Sequence, residues 1–397
     1  MKVLQLCVKP PYPPVDGGTL AMHSITQGLL DAGHRVKVLS VCSDKHPVRP
    51  QMTDEYRKQT GFEAVHIDLR IHPVAALFAM LGGESYHVRR YRSTAFAAKL
   101  DEVLQAEEYD IVLVEGLFLT PYVPQIRRRS HARVVLRAHN VEHRIWEQMA
   151  QGCRVPLKRG YLRHLALTLR QYELEHVNDY DGVVCISPVD ADLMRQAGCR
   201  RPLTSIPFGI NPEPVEFIDV EPASLFHLGS MDWMPNQEGV EWFLKEVWPR
   251  LHREVPQARL YLAGRHMPQW LMELQREGVS VVGEVPDALY FIASKQINIV
   301  PLLSGSGIRV KIIEAMSVGK TVVTTRTGAQ GIAARDGEHL LLADTADEFV
   351  SQIKRCVEEP EFCQRIGQNA YRLIAQEYNT TTLTNHLIEF LCAAQPS

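Results

Sequence analysis

The segment Gly305-Ser306-Gly307-Ile308-Arg309-Val310-Lys311, with Glu314 three residues further on, has the residue types and spacing best suited to chemistry in this chain. An apolar run ending at Pro301 reads as a strand, the glycines as a loop, and the residues before Gly319 as a helix that this glycine stops. A loop that opens a helix points unpaired N–H groups and the positive end of the dipole at whatever it faces. On this reading Arg309 and Lys311 lie in the first helical turn, where the dipole disfavours cations. A strong anion such as a diphosphate is therefore the expected occupant. Glu314, one turn deeper, could accept hydrogen bonds from a ribose or a sugar, or pair locally with Lys311 at i,i+3.

Other motifs fit their chemistry less well. Val318-Gly319-Lys320-Thr321 resembles the end of a P-loop, but Glu314 stands where the earlier glycine is required, and Gly319 follows a helix instead of a strand. The Gly305/Gly307 pair lacks the third glycine of the dinucleotide fingerprint. His139-Asn140-Val141-Glu142-His143 matches a zinc-protease pattern, yet zinc needs both histidines on one helix, and residues 134–138 read as a strand. His139 is then a polar residue at a strand's carboxyl end, either in a ligand cleft or in a structural cap. The Pro-rich loop from Lys9 closes on Gly17-Gly18, where missing side chains permit a close backbone approach; an ordinary turn explains it equally.

These residues need elements to hold them, and the chain alternates apolar strands with helices, the mark of parallel α/β sheets. Strands are predicted at 2–8, 35–41, 64–69, 111–114, 134–138 and 182–186, and a helix at 20–31. Ser187-Pro188-Val189-Asp190 reads as a capped helix start. Residues 201–214, with four prolines and a glycine, read as a linker. A second set follows, with strands at 225–228, 259–263, 279–282, 297–301, 321–325 and 339–342, helices at 237–251 and 347–357, and a terminal helix at 380–392. Ligands of open parallel sheets sit at the carboxyl ends of strands. The loops after Leu228, Ala263, Val282 and Leu303 are thus the ones to watch in the second half.

A length of 397 residues suggests two domains, and 45% hydrophobic with 22% charged residues is the composition of a globular protein. No apolar run approaches a membrane span, and the eight cysteines form no C-x-x-C pair; a cytoplasmic protein is expected. Residues 1–205 carry 27 Lys and Arg against 22 Asp and Glu, whereas the remainder carries 16 against 24. Basic clusters occur at 87–92 and 127–129 and along a predicted helix at 154–170, which mixes cations with Leu and Tyr. That helix could lie on an anionic membrane surface or be an ordinary solvated helix. No aromatic-basic interleaving points to nucleic acid.

Together these residues resemble the retaining glycosyltransferases of family 4 over essentially the whole length. The likeness rests on Gly17-Gly18, His139-Asn140, Ile206-Pro-Phe-Gly-Ile-Asn211, Leu228-Gly229 and above all the stretch from Gly305 to Val323. The resemblance implies the GT-B fold, two Rossmann-like domains facing each other across a cleft. It implies an acceptor domain at 1–212, a donor domain at 213–375 and a final helix, about 376–397, crossing back. It implies a nucleotide-diphosphate sugar donor, UDP- or GDP-linked, with no cofactor and no required metal. The basic first half suggests an acceptor that is anionic or held at a membrane, so a saccharide or lipid-linked saccharide of envelope polysaccharide synthesis is expected, met at the inner face of the cytoplasmic membrane.

The resemblance also implies roles. Gly17, Gly18, Gly229, Ser230, Asn236, Arg265, Ser304, Gly305, Ser306, Gly307, Ile308 and Glu314 would hold the donor, and Asn140 and Glu142 the acceptor. His139, Arg309, Lys311 and Glu314 would serve the reaction. Two departures stand out. The family's paired acids would fall at 306 and 314, but position 306 is Ser. The loop after residue 228 also lacks the family's Arg and Lys, and Arg309 and Lys311 are expected to supply that charge. A nucleotide-sugar epimerase of the same architecture and a degenerate transferase that only binds nucleotide sugar are the alternative readings.

Overall fold

The computed structural model describes residues 1–72, 83–153, 155–211, 219–305 and 307–393. The chain divides into two compact units, Met1–Gly209 with Thr380–Ser397, and Ile210–Asn379. The boundary thus falls at Gly209/Ile210, and the return to the first unit at Thr380, close to the positions 212 and 376 taken from the sequence.

The first unit is a seven-stranded sheet in the order β3-β2-β1-β4-β5-β6-β7, all parallel. Its strands are β1 Lys2–Cys7, β2 Arg35–Cys42, β3 Glu63–His66, β4 Ile111–Glu115, β5 Arg133–Ala138, β6 Gly182–Cys185 and β7 Leu203–Ser205. A parallel sheet is covered on both faces, so its central strands are continuous apolar runs, as in Ile-Val-Leu-Val of β4. Leu4, Leu6, Val112, Val114 and Leu136 pack on one face; Val3, Val38, Leu113 and Val135 pack on the other. That second face is covered by helix α1, Gly17–Asp31, and by the C-terminal helix Thr380–Ala393 through Leu383, Leu387 and Leu391. The contact is close: a Cβ on Gly28 would lie 1.9 Å from Thr384 Oγ1, and one on Gly209 would lie 2.5 Å from Thr380 Cα.

The second unit is a six-stranded parallel sheet in the order β10-β9-β8-β11-β12-β13. Its strands are β8 Ser224–Leu228, β9 Arg259–Ala263, β10 Val279–Gly283, β11 Ile297–Val300, β12 Thr321–Thr324 and β13 Leu341–Leu342. In each unit the strand order reverses beside its first strand, between β1 and β4 and between β8 and β11. Crevices at such switch points are where open α/β sheets bind ligands.

The structure corrects three expectations. Leu203–Ser205, read as linker, is an edge strand paired with β6; it is too short and too Pro-flanked to show an apolar run. The helix expected at 237–251 is instead Met234–Trp242, a π-helical turn at Phe243–Val247, and Trp248–Glu254. Pro249, without an N–H, cannot continue the i→i−4 ladder, and the helix widens just before it. The basic helix expected at 154–170 begins at Pro156 and runs to His176; Arg154 lies outside the described residues, as do 212–214 of the linker and 394–397 of the final helix.

Candidate active site

In the second unit, the loop after β11 leads into helix α2, Val310–Ser317. Gly305 and Gly307 take φ values of 123° and 78°, which L side chains adopt only with strain. Gly319, at φ 72°, ends the helix as expected, with Gly319 N–H on Met316 O and Lys320 N–H on Ala315 O. Arg309 is the N-cap and not a residue of the first turn. Its side chain folds back into the loop, because Nη1 donates to Gly307 O at 2.7 Å and the guanidinium lies 5.3 Å from the Trp233 ring centroid. It is 4% exposed, so it braces the glycine loop from within.

Lys311 does lie in the first turn, and its ammonium reaches the carboxyl end of β8. Nζ donates to Asn236 Oδ1 at 2.6 Å and lies 3.3 Å from His227 Nε2. Buried His227 donates Nδ1–H to Ile299 O at 2.9 Å, which leaves Nε2 as the acceptor facing the lysine. Gly229 covers this group: a Cβ there would stand 2.6 Å from Lys311 Nζ. Burial, then the charge of Arg309, push the Lys311 ammonium down to about 7, with Glu314 opposing. Burial also raises the half-buried Glu314 carboxyl above its usual range, offset in part by Lys311. The two charges form no ion pair, so the local i,i+3 reading does not hold.

The other donor-side residues of this unit are spread around the same strand ends. Ser230 Oγ donates to Asp232 at 2.6 Å, and Asn236 Nδ2 donates to Ser230 O at 2.8 Å. Arg265 O accepts from Met231 N–H at 2.8 Å, tying the loop after β9 to that after β8. Ser304 Oγ donates to Glu238 at 3.3 Å, and Ile308 is buried, offering a ligand only its backbone. Ser306 lies outside the described residues. Sequence reasoning missed His227 and Trp233, which reach the lysine and the arginine from another strand and loop.

In the first unit, α1 starts at Gly17, earlier than read, with Asp16 and Thr19 forming a reciprocal cap. What approaches Gly18 is Lys9, whose Nζ would be 3.2 Å from a Cβ there and which pairs with Asp16 at 2.7 Å. His139 follows β5, and its Nε2–H donates to Glu115 Oε2 at 2.7 Å. Glu115 ends β4 and also meets Gln5 Nε2 at 2.8 Å and Arg137 Nη1 at 3.3 Å. Burial would raise that carboxyl, but Arg137 first, then His139 and Gln5, outweigh it and hold it below the ordinary range.

Asn140 bonds the Glu142 side chain, and Glu142 opens helix α3, Glu142–Gly152. Glu142 is half-buried beside Glu173, and burial followed by that second carboxylate pushes it up to about 8. Glu173, from helix α4 (Pro156–His176), accepts the N–H groups of Glu142 and His143 and the His143 Nδ1–H at 2.6 Å. His139 and His143 therefore serve different carboxylates and different elements. Among the described residues, no group of three or more His, Cys, Asp or Glu is placed to hold a metal.

A model described as Glycosyltransferase Family 4 matches residues 15–214, and one described as Glycosyl transferases group 1 matches residues 222–359. A curated relative, an "uncharacterized 44.6 kDa protein in cps region" of Klebsiella pneumoniae, is 23% identical over 398 residues, covering 96% of this chain and 97% of that one. Among solved structures, Anabaena HepE in complex with UDP superposes with a TM-score of 0.69 at 16% identity, covering 99% of this chain and all of that one. HepE has also been solved with UDP-glucose. Sucrose-phosphate synthase from Thermosynechococcus elongatus gives 0.69 at 18% identity, with both chains covered completely. These likenesses show the fold, two Rossmann-like units of the GT-B class.

Proposed function

The chain belongs to glycosyltransferase family 4, and from that premise we propose a retaining, metal-independent transfer of a sugar from a nucleotide-diphosphate sugar to a saccharide or lipid-linked saccharide. The observation that carries this reading is Lys311, held by Asn236 under Gly229 at the switch point of the second sheet. An ammonium enclosed there without a carboxylate partner suits a diphosphate. HepE, of the same fold, binds UDP and UDP-glucose, which supports a uridine donor. The relative in a cps region supports a place in envelope polysaccharide synthesis.

In the proposed reaction the bond from the anomeric carbon to the β-phosphate oxygen breaks as the bond to the acceptor oxygen forms on the same face. The acceptor's hydroxyl proton passes to the departing phosphate oxygen. Lys311 neutralises charge that grows on the leaving diphosphate, and Arg309 keeps the glycine loop in the conformation that meets it. Glu314 accepts from the ribose hydroxyls. His139, Asn140 and Glu142 bind sugar or acceptor hydroxyls.

An anionic membrane is the proposed setting for a lipid-linked acceptor. Along α4, Leu157, Tyr161 and Leu167 are exposed, at 87% and 62% exposure for the two leucines. Lys158, Arg163 and Arg170 beside them form no ion pair among the described residues, and no acid occurs from 148 to 172. In the other basic clusters of this unit, Arg127 pairs with Asp181, Arg129 with Asp101 and Arg92 with Glu84. No helix among the described residues is long and apolar enough to cross a membrane.

A melting screen against UDP, GDP, ADP and their sugar conjugates, with and without EDTA, tests the donor assignment. A shift with one nucleotide family that survives EDTA and is lost in Glu314→Ala is the expected result. Absence of any shift would leave a degenerate binder of some other ligand.

A further inference from the structure

The first unit holds a charged cluster that the proposed reaction does not use. Glu115 and Arg137 are directly opposite in the parallel register of β4 and β5, and both are 0% exposed. Isolated buried charges are strongly disfavoured, so a carboxylate and a guanidinium kept in the sheet must be compensated. The carboxylate is the well-compensated partner, whereas the guanidinium is engaged through Nη1 alone, its Nε and Nη2 being buried without a hydrogen-bond partner among the described residues. Gln5 of β1 donates to Glu115 Oε1, and its own Oε1 accepts from Thr26 at 2.7 Å. Arg137 Nη1 reaches Ala21 O at 3.1 Å as well as Glu115. The remaining carboxylate oxygen, Oε2, accepts from His139. Four elements, β1, β4, β5 and α1, thus converge on one carboxylate, and its open side is given to one imidazole.

We infer that Glu115 is a positioning residue for His139: it takes up Nε2–H, fixes one tautomer and ring orientation, and leaves Nδ1 alone to meet a substrate hydroxyl. Nδ1 has no hydrogen-bond partner among the described residues, and the His139 side chain is 14% exposed, so that atom is the accessible one. A histidine with one nitrogen committed to a carboxylate presents a known acceptor when neutral and a known donor when protonated. Arg137 has a separate part. It keeps Glu115 an anion, and so an acceptor only, which excludes the opposite polarity of the hydrogen bond. The inference rests on His139 serving the transfer proposed above, whereas the orientation itself can be tested without turnover.

The charged groups that face His139 are Glu115 from β4, Arg137 from β5 and Lys9 from the loop after β1. Burial lowers the imidazole's affinity for a proton, Glu115 opposes this, and the two cations add to it. Long-range proton–nitrogen NMR of the full chain with labelled histidine reads both tautomer and titration, the His139 signals being those missing from His139→Asn. The wild type is expected to show a single Nε2–H tautomer when neutral. In Glu115→Gln the titration midpoint should move to lower pH and the tautomer should become mixed. An unchanged tautomer and midpoint would overturn the inference.

Should Glu115→Gln fail to fold with Arg137 left unpaired, the double variant Glu115→Leu/Arg137→Met removes both charges together and must show the same mixed tautomer. In a panel of UDP- and GDP-sugars, Glu115→Gln should lower the rate of donor breakdown at least about tenfold with the donor KM unchanged, and have no further effect on His139→Asn. An equal loss in both backgrounds would reduce Glu115 to a structural role. Melting shifts with UDP read the second unit separately: a wild type with no shift would fault the functional reading while the NMR result still judged the orientation.

Discussion

Lys311 Nζ and Asn236 Oδ1 are 2.6 Å apart, and the pair joins the start of one helix to the start of another beneath the backbone of Gly229. The lysine's other near neighbour is the neutral imidazole of His227, held well below the ordinary histidine range by burial and by the lysine itself. The site is thus an ammonium enclosed by neutral acceptors, with its charge left for a ligand.

Donor binding should therefore titrate. With the free ammonium down at about 7, an arriving diphosphate raises it, and above about pH 7 binding must take up a proton. Affinity for a UDP-sugar is expected to fall as pH rises above that value, by up to about tenfold per unit. In Lys311→Met the slope should vanish and affinity at pH 6.5 should drop about tenfold to a hundredfold, from loss of a charged hydrogen bond of about 1.5–3 kcal/mol. Calorimetric titration across pH checks both, and a slope that persists in the variant would remove Lys311 from the site.

Two neighbouring glycines should respond differently to alanine. A Cβ on Gly229 meets only the ends of side chains, Lys311 Nζ at 2.6 Å and Asn236 Nδ2 at 2.9 Å, which can shift. Gly229→Ala is expected to fold normally and lose donor affinity. At Gly264 the Cβ would stand 1.8 Å from the Gly229 carbonyl oxygen, on a backbone at φ 142°. Gly264→Ala should destabilise the protein by about 2 kcal/mol or more, through strain and overpacking. Urea unfolding of the two variants separates a binding defect from a folding defect.

Glu142 should impose an alkaline limit. Its carboxyl, pushed up to about 8 by burial, Glu173 and Asp190, is protonated at neutral pH and can donate to an acceptor hydroxyl. Transfer is expected to decline as pH rises through about 8, and Glu142→Gln, a permanent neutral donor, should keep the neutral-pH rate and lose the decline. The stability effect has a definite sign. The unfolded carboxyl loses its proton near pH 4.3, so between about 4.3 and 8 the folded state holds one proton more and stability falls as pH rises. Melting temperatures of wild type and Glu142→Gln should diverge in that window, with the wild type losing ground.

How much of this was legible in the sequence follows from where each signal lies. The strand Ile111–Glu115 is buried on both faces, so its burial is written as the unbroken apolar run Ile-Val-Leu-Val. Leu203–Ser205 has three residues, all half-buried, and no such run to write. Pro249 marked the break in the helix after Met234, but the apolar period continues through it. At the sites, the cations and glycines announced themselves locally, whereas their partners arrive from distant strands. Glu115 and Arg137 did leave a trace: each is a charge that follows an apolar run fit for burial, Ile-Val-Leu-Val and Val-Val-Leu, and a charge there needs a partner.

The exposed apolar residues of α4 lead to a prediction that separates a membrane surface from solvent. Leu157 and Tyr161 lie one turn apart near the start of the helix and Leu167 is exposed further along it, with Lys158, Arg163 and Arg170 exposed on the same helix. A helix with unpaired cations beside exposed apolar groups binds anionic headgroups at about 1 kcal/mol per cation, with burial of the leucines adding to this. The protein should sediment with phosphatidylglycerol-containing vesicles and not with phosphatidylcholine alone, and high salt should release much of it. Arg163→Glu/Arg170→Glu should weaken binding about a hundredfold or more on that scale, and Leu157→Ser/Leu167→Ser should weaken what remains at high salt. Neither pair touches the strand ends, so UDP-induced melting shifts should be preserved in both. Equal sedimentation of wild type and variants would make α4 an ordinary solvated helix.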